Sequence, residues 1–500
     1  MKTTLMSLVL SAAVATSACA KTEKKSAEGY AGHGAESVSA ETLAKFAPTS
    51  LPSEVSNRIQ NLMDVRAPGL GLPTPDGKRL FFGWGVTGIP QVWRLDSPKG
   101  FPVQLTGGED RTGLLSITPD GRWLIMSRDR KGEENPGLYL QSPNGGTLIE
   151  IQHKKGIQTR YSWTTNDGRH IFYSSNDIRP DSYAIYRYEI ATGKKDKIFD
   201  EPGIWSIADV SADERTLLLE KAIGALQTEI FEFSLNDKKL TPILGQGERE
   251  DYSATYGAHP GELLVLTNKL GNYYRGYSYK NKKFEPVTPD LKFEVESFAI
   301  DHPRKRIYYS VNENGYTRAY ALDAKTYKPL ALPALPKADH VYVGSATRNG
   351  RYITIGIETA KAPRTSYVLD WETGKLTQWV LPSSPEVDTQ KFAESKLEFY
   401  PARDGTKIPM FVRRPAKCAA SPCPVIVHFH GGPEGQSTPG FSTFAQAFVE
   451  AGYVYVEPNV RGSTGYGKEW LRADNGAKRL NVISDIEDAA TYIKKTWSEA

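Results

Sequence analysis

Cysteine is almost absent from this chain, which has three in 500 residues: Cys19, Cys418 and Cys423. So few cysteines exclude a small domain held together by several disulfides, and no further Cys or His stands beside them at zinc-ligand spacing. Cys418 and Cys423 lie in the segment PAKCAASPCP. In an exported protein this spacing predicts a small disulfide loop; the alternative is two free thiols, and neither role is catalytic.

An excess of charge of one sign is also lacking, since 62 Lys and Arg residues oppose 58 Asp and Glu residues. The resulting net charge of +4 gives no reason to expect a nucleic acid or an anionic membrane surface as partner. Cofactor motifs are missing too: the sequence has no H-E-x-x-H pair, no P-loop and no G-x-G-x-x-G between a strand and a helix. We therefore predict that the protein uses no metal or nucleotide cofactor.

A long hydrophobic run is lacking as well, because Leu5 to Ala15 is too short to cross a bilayer. Its flanks are those of a signal peptide, which we place at residues 1–20. Ala18 to Ala20 forms an A-x-A cleavage site, but the preceding residues also resemble a lipobox in which Cys19 would be lipidated. Residues 21–38 have no apolar periodicity and suit a polar tether. Both patterns predict an exported, periplasmic protein, tethered to the membrane as a lipoprotein only in the second.

The sequence does contain a unit repeated seven times, a polar turn followed by an alternating or apolar strand. Successive copies are spaced by 44, 47, 46, 48, 43 and 45 residues. The copies begin at Thr74, Thr118, Thr165, Ser211, His259, His302 and Thr347. Several short strands per repeat of ~45 residues are what a four-stranded propeller blade requires. We predict an all-β seven-bladed propeller over residues 65–385, preceded by a helical lead-in at residues 39–65.

The four strongest copies carry an aspartate at the third position of the turn: Asp76, Asp120, Asp167 and Asp213. A repeated carboxylate can belong to a metal or substrate motif. Asp also accepts hydrogen bonds from its own turn, and a following glycine takes the positive φ that such turns need. We interpret the motif as turn chemistry.

Residues 390–500 follow a different pattern, which begins after the break at Pro382 to Pro385. A hairpin around Asp404-Gly405 leads into apolar strands that alternate with helices, and Val425 to Phe429 reads as a buried strand. This order is typical of a largely parallel sheet and predicts the N-terminal part of an α/β-hydrolase domain. The residues that we expect on the buried faces of its two helices are Phe444, Ala447 and Phe448, and Ile483, Ile486, Ala490 and Ile493.

The strand ending at Phe429 stops on His430-Gly431-Gly432-Pro433, and the glycine-rich segment NVRGSTGYG follows at residues 459–467. Two glycines after a strand allow backbone N–H groups to face a reacting carbonyl, although a tight strand exit needs them too. The HGGP turn, NVRGSTGYG and the seven repeats together resemble the prolyl oligopeptidase family of serine peptidases. The resemblance is to its acylaminoacyl-peptidase and dipeptidyl-aminopeptidase-like bacterial branch.

The resemblance implies a Ser-Asp-His triad and an oxyanion hole. It assigns the oxyanion donor to the backbone N–H of Gly432, with Gly431 as the second candidate. Branches of the family that use a side-chain donor carry a Tyr in this turn, so His430 is interpreted as a turn residue beside the site. Arg461 would lie near the site, where its guanidinium either holds a substrate carbonyl or carboxylate or forms a structural salt bridge.

The catalytic serine itself is not visible, because no G-x-S-x-G elbow occurs. Ser437 follows no strand and lacks the second glycine, and Ser463 belongs to the NVRGSTGYG turn. In the family the elbow follows the helix represented by Ile483 to Trp497. The Ser, Asp and His are therefore expected C-terminal to Ala500.

The leading hypothesis is an exported serine peptidase that cleaves short peptides through an acyl-enzyme, with the propeller restricting access. A non-catalytic periplasmic propeller that binds protein partners is the alternative from another class, and residues 390–500 argue against it. An esterase on the same fold is the third hypothesis. Acylaminoacyl, dipeptidyl and endopeptidase specificities all stay open.

Overall fold

The computed structural model describes residues 38–419, 422–432 and 434–497. The predicted signal peptide, Cys19, nearly all of the tether and Pro433 lie outside the described residues. The chain divides into two compact units, residues 1–58 and 59–500. Helix α1 (Ala40–Phe46) lies in the first unit, and α2 (Ser53–Met63) begins there and ends in the second. Among the residues that the structure describes, no helix has the length and apolar character needed to cross a membrane.

Residues 72–380, the repeat region, form strands in successive groups of four, each strand antiparallel to the next in its group. The first five groups are separate sheets: β1 (Leu72–Pro73), β2 (Leu80–Trp84), β3 (Gln91–Leu95) and β4 (Val103–Gln104); β5 (Thr112–Ile117), β6 (Leu124–Arg128), β7 (Gly137–Gln141) and β8 (Ile149–Gln152); β9 (Thr159–Thr164), β10 (His170–Arg179), β11 (Ser182–Glu189) and β12 (Lys195–Phe199); β13 (Ile204–Val210), β14 (Thr216–Gly224), β15 (Gln227–Ser234) and β16 (Leu240–Leu244); and β17 (Ser253–Tyr256), β18 (Leu263–Thr267), β19 (Arg275–Lys280) and β20 (Lys283–Pro286).

The last eight strands of the repeat region share one sheet. They are β21 (Glu294–Ile300), β22 (Arg306–Glu313), β23 (Tyr316–Asp323), β24 (Pro329–Leu330), β25 (His340–Ala346), β26 (Tyr352–Thr359), β27 (Ala362–Asp370) and β28 (Lys375–Val380). A single parallel bridge between Thr317 of β23 and His340 of β25 joins the two groups of four. Within the described residues, the seven sequence repeats thus correspond to six hydrogen-bonded sheets.

Each strong repeat forms its turn by the same local hydrogen bonds. The Thr74 hydroxyl donates to Asp76 Oδ1 at 2.6 Å, and the backbone N–H of Lys78 donates to the same oxygen at 3.1 Å. Gly77 has a φ of 69°. The hydroxyl bond is the main cause that lowers the pKa of Asp76. The same bonds recur at Asp120, Asp167 and Asp213 and, with an amide in place of the carboxylate, at Asn349. The interpretation as turn chemistry agrees with this geometry.

Apolar clusters lie between neighbouring groups of strands rather than within one group. Leu218 of β14, for example, packs with Tyr252 and Val265 of the following group, and all three are buried. The first and last groups also share a cluster, in which Leu80 lies with Trp379. Burying apolar side chains between sheets stabilises the region because each sheet has two faces to cover.

The C-terminal region, residues 396–497, contains β29 (Lys396–Pro401), β30 (Lys407–Arg413), β31 (Val425–Val427), α3 (Thr443–Glu450), β32 (Val454–Pro458), α4 (Lys468–Leu471) and α5 (Arg479–Thr496). The sheet order is β29-β30-β32-β31, and only β31 and β32 run parallel. The predicted largely parallel sheet is therefore wrong for the described residues, because the opening hairpin contributes two antiparallel strands. β31 is an edge strand and is half-buried, not buried as predicted.

Both predicted helix faces also differ from the structure. In α3 the buried residues are Ala445, Gln446 and Val449, whereas Phe444 is 54% exposed. In α5 they are Val482, Asp485, Ala489 and Ile493, so Ile493 is the one predicted core residue that is buried there. Ile483 and Ile486 are exposed among the described residues, and the side of α5 that faces the sheet carries Asp485, which pairs with Arg461. A buried ion pair, which periodicity does not show, sets the rotation of this helix.

Candidate oxyanion-hole turn

The turn at residues 428–432 leaves the sheet where β31 ends. Because β31 and β32 are parallel, their carboxyl ends meet at one edge, which brings this turn beside the loop at residues 459–467. Gly432 has a φ of 127°, and a Cβ there would lie 2.5 Å from the backbone nitrogen of Glu434. Only glycine fits this position without strain.

The backbone N–H groups of Gly431 and Gly432 are available as donors. Both residues are exposed, and neither N–H has a hydrogen-bond acceptor among the described residues. A Cβ added to Gly431 would meet no atom within 4 Å. The turn therefore has two backbone donors that no described group uses, and the binding of an oxyanion requires such donors.

His430 and Ser463 form a pair that resembles a nucleophile and its base. Nε2 of His430 lies 3.0 Å from the Ser463 hydroxyl. That hydroxyl donates to the carbonyl of Val460 at 2.6 Å, and Ser463 is fully buried. The other ring nitrogen of His430 lies 3.2 Å from the carbonyl of Gly431, not beside a carboxylate. Ser463 is thus out of reach of a substrate, and the pair fastens the turn to the neighbouring loop.

A second connection joins Ser437 to Asn459. The side-chain amide of Asn459 accepts from the Ser437 N–H at 2.7 Å and donates to the Ser437 carbonyl at 2.9 Å. Beside it, the N–H of Thr464 donates to the carbonyl of Gly435 at 2.9 Å. Ser437 is 7% exposed, so this serine is also a poor nucleophile. The segment that follows the glycines is held at several points by the NVRGSTGYG loop.

Arg461 forms the structural salt bridge that the sequence left open. Its guanidinium donates to Asp485 at 2.5 to 3.2 Å and to Asp404 at 2.5 Å. Asp485 is fully buried, and the guanidinium is nearly so. Bonds from Thr406 and then from Arg461 lower the pKa of Asp404 to about 2. All three nitrogens of the guanidinium have carboxylate partners, so Arg461 joins the loop after β32 to α5 and to the hairpin at Asp404.

The repeat region contacts the same loops through groups that sequence reasoning missed. Asn312 donates to Gln436 Oε1 at 2.6 Å, and Glu294 accepts from the N–H of Gly467 at 3.1 Å. Glu358 accepts from the N–H of Phe441 at 2.9 Å. Burial raises the pKa of Glu294 to about 7 and also raises the pKa of Glu358. Glu294 and Asn312 pair on the neighbouring strands β21 and β22, Glu358 stands in β26, and the one sequence signal near them is the glycine content of GSTGYG.

The remaining predicted site residues lie apart from the turn. Cys418 and Cys423 form a disulfide. Cys418 lies in a short 3₁₀ helix (Ala416–Ala419), and Cys423 directly precedes Pro424. Within the described ranges, no group of three or more His, Cys, Asp or Glu side chains is arranged to hold a metal ion.

Two family models match the chain. The model of the prolyl oligopeptidase N-terminal β-propeller domain matches residues 107–382, and that of the prolyl oligopeptidase family matches residues 439–497. The repeat region is thus a propeller-type domain, and the C-terminal region is part of a hydrolase domain.

Known proteins are similar over the same parts. A prolyl endopeptidase from Elizabethkingia meningoseptica is 34% identical over 356 residues, which cover 67% of this chain and 49% of the relative. Protease 2 from Moraxella lacunata is 22% identical over 333 residues, which cover 65% of this chain and 48% of the relative. The chain therefore spans about half the length of these curated relatives.

Solved structures share the fold. One from a study of two prolyl endopeptidases matches with a TM-score of 0.75 at 19% identity, over 91% of this chain and 70% of that one. Prolyl oligopeptidase B from Galerina marginata, bound to a 35-residue hydrolysis and macrocyclization substrate, matches with a TM-score of 0.72 at 16% identity, over 90% of this chain and 69% of that one.

Proposed function

This chain belongs to the prolyl oligopeptidase family, and on that premise we propose that it is an exported serine peptidase that cleaves short peptides through an acyl-enzyme. The observation that carries the proposal is the pair of unoccupied N–H groups at Gly431 and Gly432, at the end of a strand in the hydrolase part. Each donor of an oxyanion hole stabilises the tetrahedral transition state by about 3 to 4 kcal/mol.

The nucleophile, its base and the orienting carboxylate are proposed to be a Ser, a His and an Asp C-terminal to Ala500. Two observations support this. Ser437 and Ser463 are buried, and Ile483, Ile486 and Phe444 leave apolar surface exposed on the outer faces of α3 and α5. Further strands and helices of a hydrolase domain would cover that surface.

We also propose that the repeat region is a seven-bladed propeller. Each run of four strands packs on the next through an apolar cluster, from β2 and β6 at one end to β22 and β26 at the other. The cluster shared by the first and last groups supports closure of the ring. An experimental structure of the full-length protein that resolves the strands tests this proposal. A number of blades other than seven would contradict it.

A contact across the proposed ring supports a role of the propeller in restricting access. Arg348, after β25, donates to the carbonyl of Thr164 in β9 at 2.5 Å and stacks on Trp163 at 4.2 Å. Trp163 in turn contacts His302, after β21. The strand groups that carry these residues are not neighbours in the proposed ring, so these side chains would narrow its central channel.

Opening this constriction tests the access hypothesis. If peptides pass it, Arg348→Ala should speed cleavage of long peptides several-fold relative to short chromogenic substrates. An unchanged ratio would show that substrates enter elsewhere.

Export and lipidation are proposed from the sequence of residues 1–20. Mass spectrometry of the mature N-terminus distinguishes a lipidated Cys19 from a chain that starts after Ala20. An uncleaved N-terminus in the producing cell would contradict both.

The central experiment is labelling of the full-length protein with a fluorophosphonate, followed by assays on chromogenic peptide amides and esters. Gly432→Ala is the matched variant, because a Cβ there disturbs the proposed donor. We expect labelling of the wild type and slower acylation of the variant by about 100-fold. A folded wild-type protein that is not labelled would favour the binding propeller, and cleavage of esters alone would favour the esterase.

A further inference from the structure

We propose that Asn312, in the propeller-type domain, is a positioning residue for the oxyanion-hole turn of the hydrolase part. The proposal deepens the proposed peptidase function and rests on it. The turn adopts its competent geometry only when the propeller-type domain contacts it through the hydrogen bond between Asn312 and Gln436.

The side chain of Asn312 is 3% exposed, and its amide is fully used. Its nitrogen donates to Gln436 Oε1 and to the carboxylate of Glu296, each at 2.6 Å. Its oxygen accepts from the N–H of Gly315 at 2.6 Å and lies 3.5 Å from Gln436 Nε2. Because Gly315 needs an acceptor and Glu296 needs a donor, the orientation of the amide is fixed before Gln436 binds.

Gln436 is linked to the glycines through the residue before it, because a Cβ at Gly435 would lie 3.0 Å from the carbonyl oxygen of Gly431 and 3.0 Å from Nδ1 of His430. The carbonyl of Gly435 accepts from Thr464, and both backbone groups of Ser437 bond to Asn459. Loss of the contact with Asn312 therefore frees a side chain directly beside Gly435, which lies against Gly431.

Gly465 explains why the amide pair can form. A Cβ at this position would lie 2.5 Å from Gln436 Nε2 and 2.6 Å from Asn312 Nδ2. Any other residue in this part of GSTGYG would occupy the space where the two amides meet. The glycine therefore serves a contact with the propeller as well as the local turn.

The consequence concerns the chemical step. Oxyanion donors act only when they are placed where the negative charge develops, and a displacement of about 1 Å can cost about 100-fold in rate. A hydrogen bond from the propeller to the loop of the donors makes the rate of acylation depend on docking of the two domains.

The test uses the full-length enzyme with Asn312→Ala, Gln436→Ala and the double variant. Lys468→Ala is the control, because its ammonium contacts Glu250 of the propeller at 3.2 Å without touching the turn. We expect each single variant to lower kcat by about 10-fold to 100-fold with KM within about threefold of the wild type, since the loss falls on the transition state. The double variant should be no slower than the slower single variant, because both remove one contact.

Hydrogen exchange of the peptide covering residues 428–437 provides a readout that does not need activity. It should become several-fold faster in Asn312→Ala and Gln436→Ala and stay unchanged in Lys468→Ala. Unchanged exchange, or additive losses of kcat in the double variant, would overturn the positioning role. If the wild type has no peptidase activity but exchange responds as expected, the positioning role stands and the proposed function fails.

Discussion

The repeat region and the C-terminal region are stabilised in different ways. In the repeat region the polar groups of each strong turn form hydrogen bonds with one another, as Thr74 and Asp76 do. Neighbouring sheets of this region share apolar clusters. In the C-terminal region two arginines that join distant segments are more deeply buried than Arg304 of the repeat region, which pairs with Asp209 and is 21% exposed. Arg461 pairs with Asp404 and Asp485, and Arg413, 2% exposed, pairs with Glu457.

This difference explains which features a sequence can display. A turn whose polar groups hydrogen-bond to one another needs the same residues in every copy, so it appears in the sequence as a periodic motif. A buried ion pair needs its two partners once each, at any separation, and leaves no pattern. The two regions should therefore respond differently to substitution.

The largest effect is expected for Arg461→Ala. It leaves the fully buried carboxylate of Asp485 without its partner, and breaking a buried pair in this way costs about 3 to 5 kcal/mol. Hydrogen exchange of peptides from β32 and α5 measures the local loss of stability. Arg403→Ala is the control, since Arg403 pairs with Asp488 and Glu487 at the surface and should change little. Equal responses would show that the buried ion pair stabilises the region no more than the surface pair does.

Leu218→Ala should give the corresponding loss in the repeat region. Leu218 is fully buried between two groups of strands, and truncation of such a leucine costs about 2 to 5 kcal/mol through lost burial and a cavity. Urea unfolding of the full-length protein measures it. Ile223→Ala, on the exposed end of the same strand, should be close to neutral because Ile223 is 46% exposed.

The stability of the structure around Glu294 should fall as pH rises. The pKa of Glu294 is raised from 4.5 to about 7, first by burial and then by Glu296, while the N–H of Gly467 opposes the shift. The folded protein then binds the proton more tightly than the unfolded chain, so the stability that this carboxyl contributes is full below pH 4.5 and falls as pH rises toward 7.

Hydrogen exchange of residues 465–470 as a function of pH, corrected for its intrinsic pH dependence, tests this. Glu294→Gln should remove most of the slope, because an amide does not titrate in this range. Glu220→Gln is the control: burial also raises the pKa of Glu220 to about 7, but this residue lies in β14, and its substitution should leave the slope at residues 465–470 in place. A slope that survives Glu294→Gln would assign the effect to another group.

The smallest effect is expected in the turns. Asp167→Ala removes the acceptor of the Thr165 hydroxyl and of the Arg169 N–H, which should cost about 1 kcal/mol because the freed groups are near water. Thermal unfolding measures it. Arg169→Ala removes only an exposed ion pair with the same aspartate and should not change the unfolding temperature. A turn variant as damaging as Arg461→Ala would contradict the comparison.

Much of the fold could be predicted because it depends on local chemistry. The seven turns, the hairpin at Asp404-Gly405 and the glycines of the HGGP turn each reflect a backbone requirement that a few adjacent residues satisfy. The faces of α3 and α5 were predicted wrongly, because apolar spacing alone placed Phe444 and Ile483 inward. The inward position of Asp485 depends on Arg461, 24 residues away in the chain.

By itself, the sequence determined the repeats, the turn chemistry and the family resemblance, since these depend on short segments whose residues must satisfy their own backbone. Tertiary structure alone decided that Ser463 is buried, that Arg461 is occupied by two carboxylates, and that Asn312 reaches the loop of the oxyanion donors. The physical reason is that burial and long-range hydrogen bonds belong to pairs of distant residues, and neither partner indicates the other until the chain has folded.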